Sequence, residues 1–282
     1  MALKLMYITN LPEVAKIAEE MGVDRIFVDL EYIGKNIRQG GMDTVQSKHT
    51  LDDVKRISDA LTTAELLVRV NPIHEATEEY ISSREEIDTA IQNGAKVLML
   101  PYFKTAQEVE RFVTYVGGRA RTMLLVETAE AAEGIDEILA VDGIDEIFIG
   151  LNDLSLSYGK RFMFELLADG TVDRLVTKFK EKQIPYGFGG LASLEGGLLP
   201  GKMVLKEHYR LGSGCVILSR SFCNTSKITD LAKIRNVFVS GMAEIRAYEK
   251  ICDDATDADR EENRKNVGIA VQKIVERIVS GI

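Results

Sequence analysis

The chain has 282 residues, 45% of them apolar, and a formal net charge of −9. That length admits one large barrel or two ordinary domains, with a core big enough to hold without staples. No Lys/Arg-rich block interrupts the acidic balance and tryptophan is absent, which argues against a nucleic-acid surface built on clustered basic charge.

The three cysteines, Cys215, Cys223 and Cys252, are odd in number and not spaced like zinc ligands. They are expected to be reduced thiols, with Cys215 in the core, in a reducing compartment. The opening MALKLMYITN is too short and too polar for a signal peptide. No apolar run approaches the ~20 residues of a membrane span. A cytoplasmic chain with no membrane partner is the expectation.

In chain order, short apolar runs alternate with helical patterns. A strand over 4–9 precedes a helix over 12–21, where Val14, Ile17 and Ala18 share one face. A strand over 25–31 is followed by a long polar stretch, 32–49, which reads as a substrate loop or as plain disorder. A helix over 51–61 starts behind Thr50 as N-cap. Strands over 66–71 and 96–101 follow, then a helix over 105–116 that opens with the capping-box pattern Thr105-x-x-Glu108. Strands over 122–128 and 146–151, a helix over 163–182, strands over 185–190 and 215–220, and a helix over 228–248 continue the rhythm. The glycine-rich stretch 187–203 reads as an anion nest or a lid. The tail opens with a charged segment and then spaces Val267, Val271, Ile274 and Ile278 as an amphipathic helix.

Eight strands alternating with helices allow a closed barrel or an open doubly wound sheet. The length, the lack of G-x-G-x-x-G after the first strand, and the polar residues at strand ends (Glu31, Arg69, Glu127, Asp153) favour the barrel. The predicted fold is therefore α/β, a (β/α)8 TIM barrel over 1–252 with a C-terminal helical extension over 253–282.

The segment 124–159 carries most of the chemistry. Glu127 ends one strand and Asp153 lies just past the end of the next, so a barrel would bring them together at its mouth. Two carboxylates without a nearby histidine suit a hard divalent ion, Mg2+ or Mn2+, better than zinc. V-E-T at 126–128 and G-x-x-D-L at 150–154, one unit apart, resemble the metal-binding core of the HpcH/HpaI aldolase and citrate lyase family, the class II metal-dependent pyruvate aldolases. The stretches 22–31, 66–72 and 94–113 resemble the same family, so the likeness covers roughly 4–220.

The resemblance implies that Glu127 and Asp153 ligate the metal and that the metal, as a Lewis acid, stabilises a pyruvate-type enolate. It implies that Arg69 faces the oxygen where negative charge develops. The amides of Asn152 and Asp153, near a helix start, would receive the substrate carboxylate, with Gly150 allowing a close approach. Glu31 is expected behind the metal, in contact with its waters, and Asp29 is expected to orient Arg69 or to brace a loop. The family's histidine after the second strand is replaced here by Tyr32, and its aspartate partner by Gln92. The proton carrier is therefore left among His74, Tyr32 and a water on the metal. His49 ranks lower as a candidate, and His208 is expected away from the mouth.

The resulting expectation is a divalent-metal-dependent carbon–carbon lyase that cleaves a 4-hydroxy-2-oxo acid, or a related hydroxy acid, to an oxo acid and an aldehyde. An acyl-CoA lyase and a catalytically silent metal and oxo-acid binder are the competing readings. The resemblance also implies a homo-oligomer.

Overall fold

The computed structural model describes residues 2–34 and 48–280. Residues 35–47, the middle of the polar stretch, lie outside the described residues, and the substrate-loop reading falls largely on them. The strands are β1 (Lys4–Ile8), β2 (Arg25–Asp29), β3 (Glu65–Arg69), β4 (Val97–Leu100), β5 (Arg121–Val126), β6 (Glu146–Ile149), β7 (Tyr186–Leu191) and β8 (Cys215–Leu218). Every neighbouring pair is parallel, and β1 pairs with β8, so the sheet closes into a barrel in sequence order.

The closure explains the apolar runs. Alternate residues point into the barrel, where Met6, Phe27, Leu67, Met99, Met123 and Phe148 form a packed inner core. The others point outward to the helices, so neither face of a strand meets water. The outer layer consists of α1 (Pro12–Glu20), α2 (Leu51–Ala60), α3 (Ser83–Gln92), α4 (Ala106–Val116), α5 (Ala129–Glu133), α6 (Ile135–Ile138), α7 (Leu151–Ser157), α8 (Glu165–Ala168), α9 (Thr171–Glu181), α10 (Gly201–Leu211), α11 (Leu231–Asp253) and α12 (Asp257–Ser280).

Local signals fix the helix starts. Thr50, Ser82 and Thr105 each cap a helix in a full capping box, with Asp53, Glu85 and Glu108 as the reciprocal partners. The predicted helix 163–182 is interrupted instead: Gly170 sits in the left-handed region at φ +82° and separates α8 from α9. The tail helix starts inside the charged segment, at Asp257. It packs on α8 and α10 through Val267 and Val271, while its Asn263 amide donates to Glu207 at 2.8 Å.

The lower end of the barrel is closed by ions. Arg25, fully buried, donates to both oxygens of Glu146 at 2.6 and 2.5 Å and to Glu65 at 2.9 Å, and Arg121 pairs with Glu65 as well. On the outer layer His208 is fully buried in α10, stacked on the Phe188 ring at 3.8 Å. Burial pushes its pKa down to about 3. All three cysteines are buried and free. Among the described residues no helix is long and apolar enough to cross a membrane.

Candidate active site

A cavity of about 230 Å3 opens at the C-terminal end of the strands, where the ends of barrel strands converge. The inner core forms its floor through Phe27, Met99, Leu125, Phe148 and Ile217, and its polar wall holds Arg69, Glu127, Asn152 and Asp153. Five of the residues singled out in the sequence meet at this cavity: Arg69, Glu127, Gly150, Asn152 and Asp153.

Asp29 and Glu31 stand immediately behind Arg69. Asp29 and Arg69 are direct cross-strand partners on β2 and β3. The guanidinium grips Asp29 with two hydrogen bonds, Nε to Oδ1 at 2.8 Å and Nη2 to Oδ2 at 2.7 Å, and Nη1 lies 3.3 Å from Glu31 Oε2. This fork-on-fork contact fixes the plane of the group. Burial works against the charge, but the Asp29 and Glu31 carboxylates outweigh it and raise the Arg69 pKa well above its ordinary value, with Glu127 adding to the effect.

Glu127 is held from two sides. Its Oε1 accepts a hydrogen bond from the Tyr102 amide at 3.0 Å. Tyr102 adopts φ +48°, a left-handed conformation that a bulky residue rarely takes. Strain of this kind clusters where backbone must be aimed at a functional group. On the other side Gly150 leaves room: a Cβ there would lie 2.9 Å from both the Cβ and Oε2 of Glu127. The close approach at Gly150 is thus to the Glu127 carboxylate. Asn152 and Asp153 are the second and third residues of α7, and the Asn152 amide group donates to Asp153 Oδ1 at 3.0 Å.

Tyr32 and His74 line a second cavity, of about 180 Å3, beside the mouth. Tyr32 is 46% exposed and lies against Tyr80 with ring centroids 5.2 Å apart. Burial of its hydroxyl, then the Glu86 carboxylate, raise its pKa further from neutral. His74 Nδ1 lies 2.7 Å from the Pro72 carbonyl and Nε2 lies 2.8 Å from the Ile81 carbonyl, so both ring nitrogens are engaged by their own loop. Buried Asn71 staples the departure of the polar stretch, with Oδ1 accepting from the Tyr32 and Ile33 amides at 3.0 Å each.

One participant was not singled out by sequence reasoning, and another was ranked low. Tyr102 carries no sequence signal, because only tertiary packing puts a tyrosine at positive φ. His49, ranked low, lines the second cavity with Tyr32 and His74, and its Nδ1 accepts from the Asp29 backbone amide at 3.0 Å. Its position just before the Thr50 cap, where the polar stretch re-enters the fold, is the signal that pointed there.

The geometry can be set beside known proteins. The barrel superposes on the crystal structure of an HpcH/HpaI aldolase from Desulfitobacterium hafniense DCB-2 with a TM-score of 0.59, covering 77% of this chain and 86% of that one at 18% identity. A hydroxypyruvate/pyruvate aldolase of Roseovarius nubinhibens is 28% identical over 106 residues, which is 38% of this chain and 40% of that protein. One of the same name from Roseobacter denitrificans is 26% identical over 160 residues, 45% of this chain and 61% of that protein. The chain thus matches under two thirds of the length of these relatives. The family model described as HpcH/HpaI aldolase/citrate lyase matches residues 5–165, a span that runs from β1 past Asp153 and contains the mouth carboxylates and Arg69. This chain belongs to the HpcH/HpaI aldolase/citrate lyase family.

Proposed function

We propose that the protein is a divalent-metal-dependent aldolase that cleaves a 4-hydroxy-2-oxo acid to a pyruvate-type oxo acid and an aldehyde. One observation carries the reading: Glu127 and Asp153 line one small cavity at the mouth together with Arg69, whose guanidinium is fixed from behind by Asp29 and Glu31. Two carboxylates that face one partly enclosed cavity are natural donors to a divalent cation. The donors are all oxygen, which suits Mg2+ or Mn2+. Gly150 keeps a side chain from pressing on Glu127 Oε2, where a Cβ would lie only 2.9 Å away. Glu127 and Asp153 would hold it, and when bound it supplies Lewis-acid stabilisation of enolate charge.

The protein's own residues supply the rest. Arg69 turns two of its five N–H bonds to Asp29 and sets Nη1 3.3 Å from Glu31, and its other N–H bonds can meet an oxo or enolate oxygen at the mouth. The helix-start residues Asn152 and Asp153 orient the carboxylate end of the substrate. On cleavage the 4-hydroxyl gives up its proton, the C3–C4 bonding pair moves into the enolate, and C4 becomes the aldehyde carbonyl. Later C3 takes up a proton. Proton transfer is assigned among His49, His74 and Tyr32, which line one cavity beside the mouth, with His49 first because it accepts from the Asp29 backbone amide. The names of the relatives support pyruvate as the donor half, and the small cavity favours a substrate of few carbons. Self-association belongs to the same proposal, with the exposed Ile269, Ile278 and Val279 of α12 as its apolar material; light scattering checks it.

Exchange of pyruvate methyl protons with deuterium, followed by NMR, tests the reading. Exchange is expected with Mg2+ or Mn2+. It should vanish with EDTA and fall at least ~10²-fold in Glu127→Gln. Bound pyruvate that shows no exchange with either metal would sink the reading.

A further inference from the structure

Strand β7 presents three glycines with different reasons to exist. At Gly187 an added Cβ would lie 2.3 Å from the Cys215 carbonyl oxygen, so packing between β7 and β8 requires glycine. Gly189 has φ +54°, and a Cβ there would lie 2.8 Å from Leu151 Cδ1, so backbone and packing both require it. The pairing register with β8 shifts between Gly187 and Gly190, which marks a bulge beside the mouth.

Gly190 is different. Its φ is not in the left-handed region, and its nearest neighbours among the described residues would be Ser219 Cβ at 3.5 Å and the Ile217 carbonyl oxygen at 3.7 Å, ordinary contacts. Neither the backbone nor the packing of the fold asks for glycine here, although glycine inside a strand weakens it. Gly190 lines the mouth cavity, and β7 lies four strands from β3, across the barrel from Arg69.

We infer that Gly190 is a specificity-determining residue: the space left by its missing side chain holds the carbon chain of the aldehyde half of the substrate. The inference rests on the aldolase reading above. With the oxo-acid end held by Arg69, Glu127 and Asp153, carbons beyond C4 run toward the opposite wall. That wall offers Gly190, the Ile217 side chain and the Ser219 hydroxyl, itself hydrogen-bonded to Ser221 at 2.7 Å. Among the described residues these three bring one hydroxyl and no charge, which suits an uncharged short-chain or hydroxylated aldehyde.

The test compares wild type with Gly190→Ala and Gly190→Val on a series of 4-hydroxy-2-oxo acids of five, six and seven carbons. kcat/KM is read as the ratio of the longest to the shortest substrate, so a uniform change cancels. One methylene in an apolar pocket is worth about 10-fold or more. The ratio should therefore fall at least ~10-fold in Gly190→Val and by less in Gly190→Ala. Where Val disturbs folding, as judged by circular dichroism, the Ala variant decides. An unchanged ratio overturns the inference, and wild type that still exchanges pyruvate protons would leave the aldolase reading standing. Wild type without exchange overturns both.

Discussion

The two ends of the barrel are built from the same pair of strands and come out opposite. β2 reads RIFVD and β3 reads ELLVR, and their register sets Arg25 beside Glu65 at one end and Asp29 beside Arg69 at the other. Each end holds a buried guanidinium gripped by a carboxylate of the neighbouring strand. At the lower end two arginines, Arg25 and Arg121, meet two glutamates, Glu65 and Glu146. At the mouth Arg69 meets Asp29 and Glu31, feels the Glu127 carboxylate, and opens on a cavity that Asp153 also lines. The difference teaches that ion pairing by itself does not mark a site. A cluster sealed under the barrel closes a core; one that opens on a cavity keeps its donors within reach of a ligand.

The largest effect should come from breaking the lower end. Arg25→Met strands Glu146 and should cost about 3–5 kcal/mol of stability in urea unfolding. Exchange per folded molecule should persist, and its loss would merge the two ends and break the comparison. Next, Arg69→Lys keeps the charge at the mouth but loses the fork. Pyruvate exchange should drop ~10²-fold, with a smaller loss of stability than Arg25→Met shows. Third, Gly150→Ala pushes a methyl against Glu127 and should cost about 1–3 kcal/mol by overpacking. Weaker Mn2+ binding, followed by electron paramagnetic resonance, would tie that cost to the carboxylate, whereas unchanged binding would make Gly150 a packing residue only.

A pH scan adds a signal that belongs to neither end. His208 is held neutral with a pKa of about 3, below the ordinary value of about 6.5. As pH falls below about 6.5 the unfolded chain binds the proton first, so stability should drop by about 1.4 kcal/mol per pH unit until the folded value is reached. His208→Leu should flatten that slope at both ends of the barrel alike. The smallest effect is expected for Tyr32→Phe. A hydroxyl whose pKa is raised above 10 carries little proton traffic at neutral pH, so exchange should change less than ~3-fold.

Much of this was legible in the sequence. All eight strands were, because a parallel strand covered on both faces must be a short apolar run, and such runs stand out between helices. The strand-end carboxylates Glu127 and Asp153 were legible for the same reason: once the strands are placed, their ends are too. α3 was missed even though Ser82 and Glu85 spell its capping box, so that signal was present and unread. The break at Gly170 was missed because a lone glycine in a periodic pattern does not reveal its φ. Tyr102 was beyond the pattern, since it depends on a strained backbone, and His49 was ranked low because its contact is made across a long polar stretch.

The three buried thiols have a practical consequence. Burial raises the pKa of Cys215 to about 12 and that of Cys252 to about 11, and raises Cys223 as well. For the first two, the reactive thiolate at pH 7 is on the order of one molecule in 10⁴ to 10⁵. Alkylating reagents and mild oxidants should find little to attack in the folded chain. A single cysteine placed on the loop between β7 and α10, at Leu198 where the side chain is 71% exposed, would then be the one fast-reacting thiol. The native cysteines would not have to be removed first, and a dye there would report from beside the wall that Gly190 leaves open.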